Sequence, residues 1–157
     1  MTKTIYLAGG MTGLTYKEQH EWRLNFISQI RRNDSGFDRP KFFDPPLYYD
    51  INEVNDIETQ KEAMDFDLFN LCKSDVVVVN FNVPNSIGTA MEIAIAREHG
   101  IPVIGLNEDH NELHPWLRLN TMKICDSMEE LVAFVKQFFL DWWNWRIIWQ
   151  FTLMAYT

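Results

Sequence analysis

One stretch restricts the fold more than any other: residues 75–106, DVVVVNFNVPNSIGTAMEIAIAREHGIPVIGL. It reads as an apolar strand, a turn rich in Pro, Asn, Ser and Gly, a helix, and a second apolar strand after Gly100. Strands that are apolar on both faces must be covered on both faces, which calls for a parallel sheet between helical layers. Within the helix, residues 88–96 are all small or apolar except Thr89 and Glu92. A lone carboxylate in such a setting is costly unless it is paired or used. Glu92 is therefore the first candidate for chemistry, and pairing with a buried Arg or capping a backbone amide is the competing reading.

The rest of the chain repeats the alternation. Residues 4–8 (TIYLA) form a first buried strand that ends in the turn Gly9-Gly10-Met11-Thr12-Gly13. Thr15 and Glu18 have capping-box spacing, and Trp22, Phe26, Ile27 and Ile30 form a stripe that predicts a helix over residues 16–30. Residues 41–44 (KFFD) give a short strand stopped by Pro45-Pro46, and residues 47–54 read as irregular. Asp56 caps a second helix to about residue 72. Strands are expected over residues 75–81, 101–106 and 121–125, and helices over 87–99 and 128–140, the last opened by a Ser127/Glu130 capping box. Residues 107–116 read as a polar loop with a helical turn. The expectation is a three-layer α/β/α sandwich on a five-stranded, mainly parallel sheet.

At 157 residues the chain has the length of one ordinary domain, and a hydrophobic fraction of 46% excludes disorder. A net charge of -8 without clustered Lys and Arg argues against polymeric nucleic acid, though not against single nucleosides or nucleotides. Cys72 and Cys125 lack metal-type spacing and read as buried, reduced thiols of a cytoplasmic protein. The N-terminal apolar run is too short for a signal peptide, and no segment is long enough to span a membrane. The histidines His20, His99, His110 and His114 show no ligand spacing and read as surface or loop residues. No metal site or cofactor is implied.

In parallel sheets ligands bind outside the carboxyl ends of the strands. The glycine turn, Gly9-Gly10-Met11, lies at such an end and lets a ligand approach the backbone, although it is neither GxGxxG nor a Walker loop. Tyr6, just upstream, is either a core aromatic or a hydroxyl that reaches the pocket. In the second helix Met64, Leu68 and Leu71 share one face; Asp67 lies beside it and Asp65 turns further away. Asp67 can thus point toward Glu92, or remain a solvated acid. Ser86, ahead of Gly88, can cap the helix, bind a phosphate with the terminal amides, or do neither.

Three segments together, Tyr6-Leu7-Ala8-Gly9-Gly10, Asp67-Leu68 with Ser74-Asp75-Val76-Val77-Val78, and Gly88-Thr89-Ala90-Met91-Glu92-Ile93, resemble the nucleoside 2-deoxyribosyltransferase family. The related 2'-deoxynucleoside 5'-monophosphate N-hydrolases share its fold. The resemblance runs in order over residues 4–139 and implies a flavodoxin-like sandwich and a homo-oligomer whose sites are completed by a neighbouring subunit. It implies Glu92 as catalytic glutamate, Asp67 as the aspartate near the base and Tyr6 as the tyrosine that positions the glutamate. It implies Gly9, Gly10, Met11, Ser86 and Gly88 against the substrate, with Asn120 and Met122 in the region that reaches a neighbour's pocket. The expected substrates are a small nucleoside or nucleotide and a nucleobase, not a membrane or a nucleic-acid polymer. The activity implied is glycosyl transfer between bases; the alternatives are a monophosphate N-hydrolase and a non-catalytic nucleotide-binding protein.

Two features depart from that pattern. Many of the transferases carry an aspartate six residues before the glutamate, where this chain has Ser86, the residue type that the hydrolases use for phosphate. The glycine turn nevertheless lacks the serine and arginine of the hydrolases' GSIRG-like turn. The second departure is the tail, residues 141–157, with four tryptophans between 142 and 149, set apart from the 1–140 domain and read as an interface segment. Removal of everything after Leu140 is expected to change the oligomer mass measured by light scattering; an unchanged mass counts against the interface reading.

Overall fold

The computed structural model describes residues 2–32 and 39–140; the Trp-rich segment lies outside the described residues. Five strands, β1 (Thr4–Gly9), β2 (Lys41–Phe43), β3 (Val76–Asn80), β4 (Val103–Leu106) and β5 (Lys123–Cys125), form one sheet in the order β2-β1-β3-β4-β5. Every pairing is parallel. Helices α1 (Tyr16–Arg31), α2 (Ile57–Leu71), α3 (Ile87–Glu98), α4 (Pro115–Leu119) and α5 (Met128–Val135) complete the sandwich. Strand order 2-1-3-4-5 is the flavodoxin-like order, and the expected fold class is the observed one.

The sheet separates two cores. On one face Ile5, Leu7, Val76, Val78 and Ile104 pack against Trp22, Phe26 and Ile30 of α1 and Leu131 and Val135 of α5. On the other, Tyr6, Ala8, Val77 and Val79 pack against Leu71 of α2, Ile93 and Ala96 of α3, and Leu117 of α4. The β3 valines lie at the centre with no exposed surface. Burial of each is worth about 1.5–3 kcal/mol, which fixes this strand in the middle. Asp75 pins the start of β1 by accepting from the Thr4 amide at 2.8 Å.

Local signals account for the helix starts. Thr15 and Glu18 form the complete capping box of α1. Ser127 accepts from the Glu130 amide, but the Glu130 side chain turns to the Asp126 amide instead, so that box is half closed. Helix α5 ends at Val135 and continues as a wider π-type turn, Lys136–Leu140, rather than as one α-helix. The polar loop holds α4, begun by Pro115 and capped by the His114 ring, which accepts from the Trp116 amide.

Burial corrects three sequence expectations. His20 is buried beside Asp44, because its turn of α1 faces the end of β2. Cys72, just past α2, is exposed while Cys125 is buried. Of the α2 face, Leu71 is buried but Met64 is exposed, because no residue of α2 before Asp67 is buried against the sheet.

Gly105 of β4 shows how tightly the second core is filled. A Cβ there would sit 2.5 Å from Cε2 of the buried Phe81 ring and 3.2 Å from Thr121 Cγ2. Gly105→Ala is expected to lower stability by about 1–3 kcal/mol through overpacking. Urea denaturation measures this; an unshifted midpoint would mean that the Phe81 ring has room to move.

Candidate active site

The β1 strand ends at Gly9, which pairs with Asn80 at the end of β3. Gly9 has a φ of 153° and Gly10 lies against Val83, so close that a Cβ on it would sit 2.5 Å from Val83 Cβ. The turns after β1 and β3 thus touch, and only a residue without a side chain permits it. The Met11 carbonyl accepts from the Leu14 amide within the turn at 3.1 Å and from the Gln19 side chain of α1 at 3.3 Å.

Tyr6 lies inside β1 on the face shared with α2 and α3, fully buried. Its hydroxyl donates to Oε1 of Glu92 at 2.5 Å. Glu92 is half-buried, one turn into α3, and desolvation pushes its carboxyl up to about 7, against the Tyr6 hydrogen bond, which pulls it down. Asp67 is buried, with 8% of its surface exposed, and Tyr49 donates to its Oδ2. Desolvation pushes the Asp67 carboxyl up to about 6, opposed by the Tyr49 hydrogen bond and by Arg23. The Asp67 charge in turn raises Glu92 further. Burial, followed by the neighbouring carboxylates, holds both phenols well above the ordinary tyrosine range. Both remain donors at neutral pH.

Tyr6, Asp67 and Glu92, three residues singled out from the sequence, are therefore brought together on one face of the sheet. Asp65 is exposed and pairs with Lys61 one turn away. Ser86 caps α3, accepting from the Thr89 amide at 3.3 Å and from the Thr89 hydroxyl at 3.0 Å. Gly88 is exposed, with open space where a side chain would stand. Asn120 caps the end of α4, just before β5, and its side chain donates to the Trp116 carbonyl. That position precedes β5, at the amino end of the strand. The surroundings of Glu92 are less enclosed than the sequence implies: Met91 and Ile87 are 43% and 79% exposed.

Sequence reading missed four contributors. Tyr49 holds Asp67, and Tyr48 stacks on Phe43 (centroids 4.9 Å), which stacks on Tyr6 (5.2 Å). Phe66 closes the edge of this wall against Tyr48 at 5.2 Å. Arg23 crosses from α1, fully buried, to donate to the carbonyls of Leu7 and Gly9 and to pair with Asp44 at 3.3 Å. The legible signal was position: Asp44-Pro-Pro-Leu-Tyr-Tyr follows a strand directly, at the sheet edge where sites form.

No family model matches the sequence, and no curated protein matches it. Solved structures do. A conserved protein from Enterococcus faecalis V583 superposes with a TM-score of 0.61 at 22% identity, over 87% of this chain and 99% of that one. A 2-deoxyribosyltransferase from Bacillus psychrosaccharolyticus gives 0.63 at 17% identity, over 82% and 90%. The CMP N-glycosidase BcmB of Clostridium botulinum gives 0.50 at 15% identity, over 87% and 99%. The chain has the nucleoside 2-deoxyribosyltransferase-like fold.

The raised carboxyl of Glu92 makes a stability prediction with a definite sign. Below about 4.5 the group is protonated whether folded or not; between about 4.5 and 7 the folded chain alone retains the proton. Above 7 the folded state bears the full cost of the buried charge. Glu92→Gln is expected to stabilise the fold by about 1–2 kcal/mol at pH 8 and by little at pH 4. Thermal melts at the two pH values check this, and an equal change at both would refute the burial origin.

Proposed function

We propose that the protein cleaves the N-glycosidic bond of a 2'-deoxynucleoside and transfers the deoxyribosyl group to another nucleobase. The observation that carries this reading is the buried Tyr6 phenol donating to Glu92 at 2.5 Å, with Asp67 on the same sheet face. A pure binding pocket gains nothing from two desolvated carboxylates, since each raises the cost of ionising the other. A reaction that builds positive charge at an anomeric carbon uses both. The fold shared with a 2-deoxyribosyltransferase and a CMP N-glycosidase supports the same chemistry.

In this mechanism the ionised Glu92 attacks C1' while the C1'–N bond breaks, and its electron pair leaves with the base. Asp67 gives a proton to a nitrogen of that base. The glycosyl ester on Glu92 is then attacked by a second base, which returns a proton to Asp67. Tyr6 fixes one Glu92 oxygen, leaving the other to attack. At the end of the Tyr6–Phe43–Tyr48 stack, the exposed Tyr48 ring offers an aromatic face for a base.

Two further assignments belong to this reading. The substrate is an unphosphorylated nucleoside: Gly9-Gly10-Met11-Thr12-Gly13 carries no cation, and Ser86 is already engaged as a helix cap. The working form is a homo-oligomer. Ile57 and Met64 of α2, Ile87 and Met91 of α3, and Trp116, Leu119 and Met122 around α4 are exposed apolar side chains of one helical layer. A second copy packed there can bring Asn120 to its neighbour's site.

The test is chromatography of the protein with 2'-deoxyinosine or thymidine plus a free acceptor base, beside each 5'-monophosphate without acceptor. A new deoxynucleoside formed only with acceptor, and lost by at least about a thousandfold in Glu92→Ala, is the expected result. Base released only from monophosphates would move the activity to hydrolysis of nucleotides; full turnover in Glu92→Ala would remove the nucleophile assignment.

A further inference from the structure

Tyr49 has no place in the residue set the sequence singled out, yet it makes the closest contact of Asp67. Resting on the proposed transfer reaction, we infer that Tyr49 is a positioning residue: by donating to Oδ2 of Asp67 it reserves Oδ1 for the proton that passes to the departing base. The chemistry follows from donor counting. A phenol has one hydrogen, and here it is committed to Oδ2. An acid proton on Asp67 must then reside on Oδ1, which is buried and accepts no hydrogen bond among the described residues. A buried carboxyl oxygen without a partner is costly in the resting protein and is compensated when a substrate nitrogen meets it.

The loop that carries Tyr49 is itself held. Tyr48, its neighbour, stacks on Phe43 and meets Phe66 edge-on, while Asp44 at the loop's start pairs with the buried Arg23. The groups facing Asp67 come from four elements: Tyr49 from this loop, Arg23 from α1, Tyr6 from β1 and Glu92 from α3. The Tyr49 hydrogen bond and Arg23 both favour the charged form of Asp67; burial opposes it. Loss of the Tyr49 hydroxyl therefore raises the pH at which Asp67 gives up its proton, and frees its carboxyl to rotate.

In the step assigned to it, the proton leaves Oδ1 of Asp67 for a ring nitrogen of the base as the C1'–N bond breaks and the Glu92–C1' bond forms. A base that already carries positive charge needs no such proton. The experiment compares wild type and Tyr49→Phe on 2'-deoxyguanosine and on 7-methyl-2'-deoxyguanosine, whose base departs without protonation, across pH 5 to 9. The expected result is a loss of about tenfold or more in kcat/KM on 2'-deoxyguanosine, a pH profile displaced upward, and near wild-type rates on the methylated substrate. The methylated substrate also reports that the variant is folded. Equal losses on both substrates with an unmoved profile would make Tyr49 a structural residue and overturn the inference, as would no loss on either. Asp67→Asn run in parallel separates the two levels. If it keeps wild-type turnover of 2'-deoxyguanosine, Asp67 is not the acid and the underlying reading fails with the inference. If it loses turnover while Tyr49→Phe behaves as wild type, only the inference fails.

Discussion

A guanidinium with no exposed surface is an expensive thing to fold, and this molecule places one at the junction of three elements. Arg23 leaves α1, donates to the Leu7 and Gly9 carbonyls at the end of β1, and pairs with Asp44 at the end of β2. Removing one partner of such a buried pair typically costs about 3–5 kcal/mol, because the other charge is left without compensation. The pair therefore holds the glycine turn and the loop bearing Tyr48 and Tyr49 at fixed positions relative to the sheet. Everything proposed for the site depends on that relation, since one loop lets the substrate approach and the other supplies the aromatic wall.

On this frame the two carboxylates are treated alike. Each is drawn out of water, each is raised by desolvation, and each receives one tyrosine hydroxyl. The phenols are themselves too deeply buried to ionise, so they act as permanent donors and not as acids. The Asp67 charge adds to burial in raising the Glu92 carboxyl, so the two groups resist being ionised together.

Much of the architecture was legible beforehand. The valine run of β3, the Thr15/Glu18 box and the stripe of α1 gave strand, helix start and buried face, because each signal is local and periodic. Glu92 stands out for a local reason too, a carboxylate set among apolar neighbours, whereas the roles of Tyr6 and Asp67 follow from the family resemblance. The errors came from judging burial by neighbours in sequence. His20 appeared to belong to a surface and is buried; Met64 and Met91 appeared to belong to a core and are exposed. A helix face is buried only if another element covers it, and no periodicity reports which one does.

From the sequence alone came the alternation of strand and helix, the parallel sheet that double burial demands, and one carboxylate, Glu92, too costly to be idle. Tertiary structure alone decided which groups meet. Tyr6 and Glu92 are 86 positions apart, and Arg23 must pass from its helix to the ends of two strands. Tyr49 stands 18 positions before Asp67 in a loop with no repeat to read. Such contacts depend on strand order and on the angle at which helices cross the sheet. Those are set by the packing of all the side chains together, whereas the pattern along the chain records only each segment's own preference.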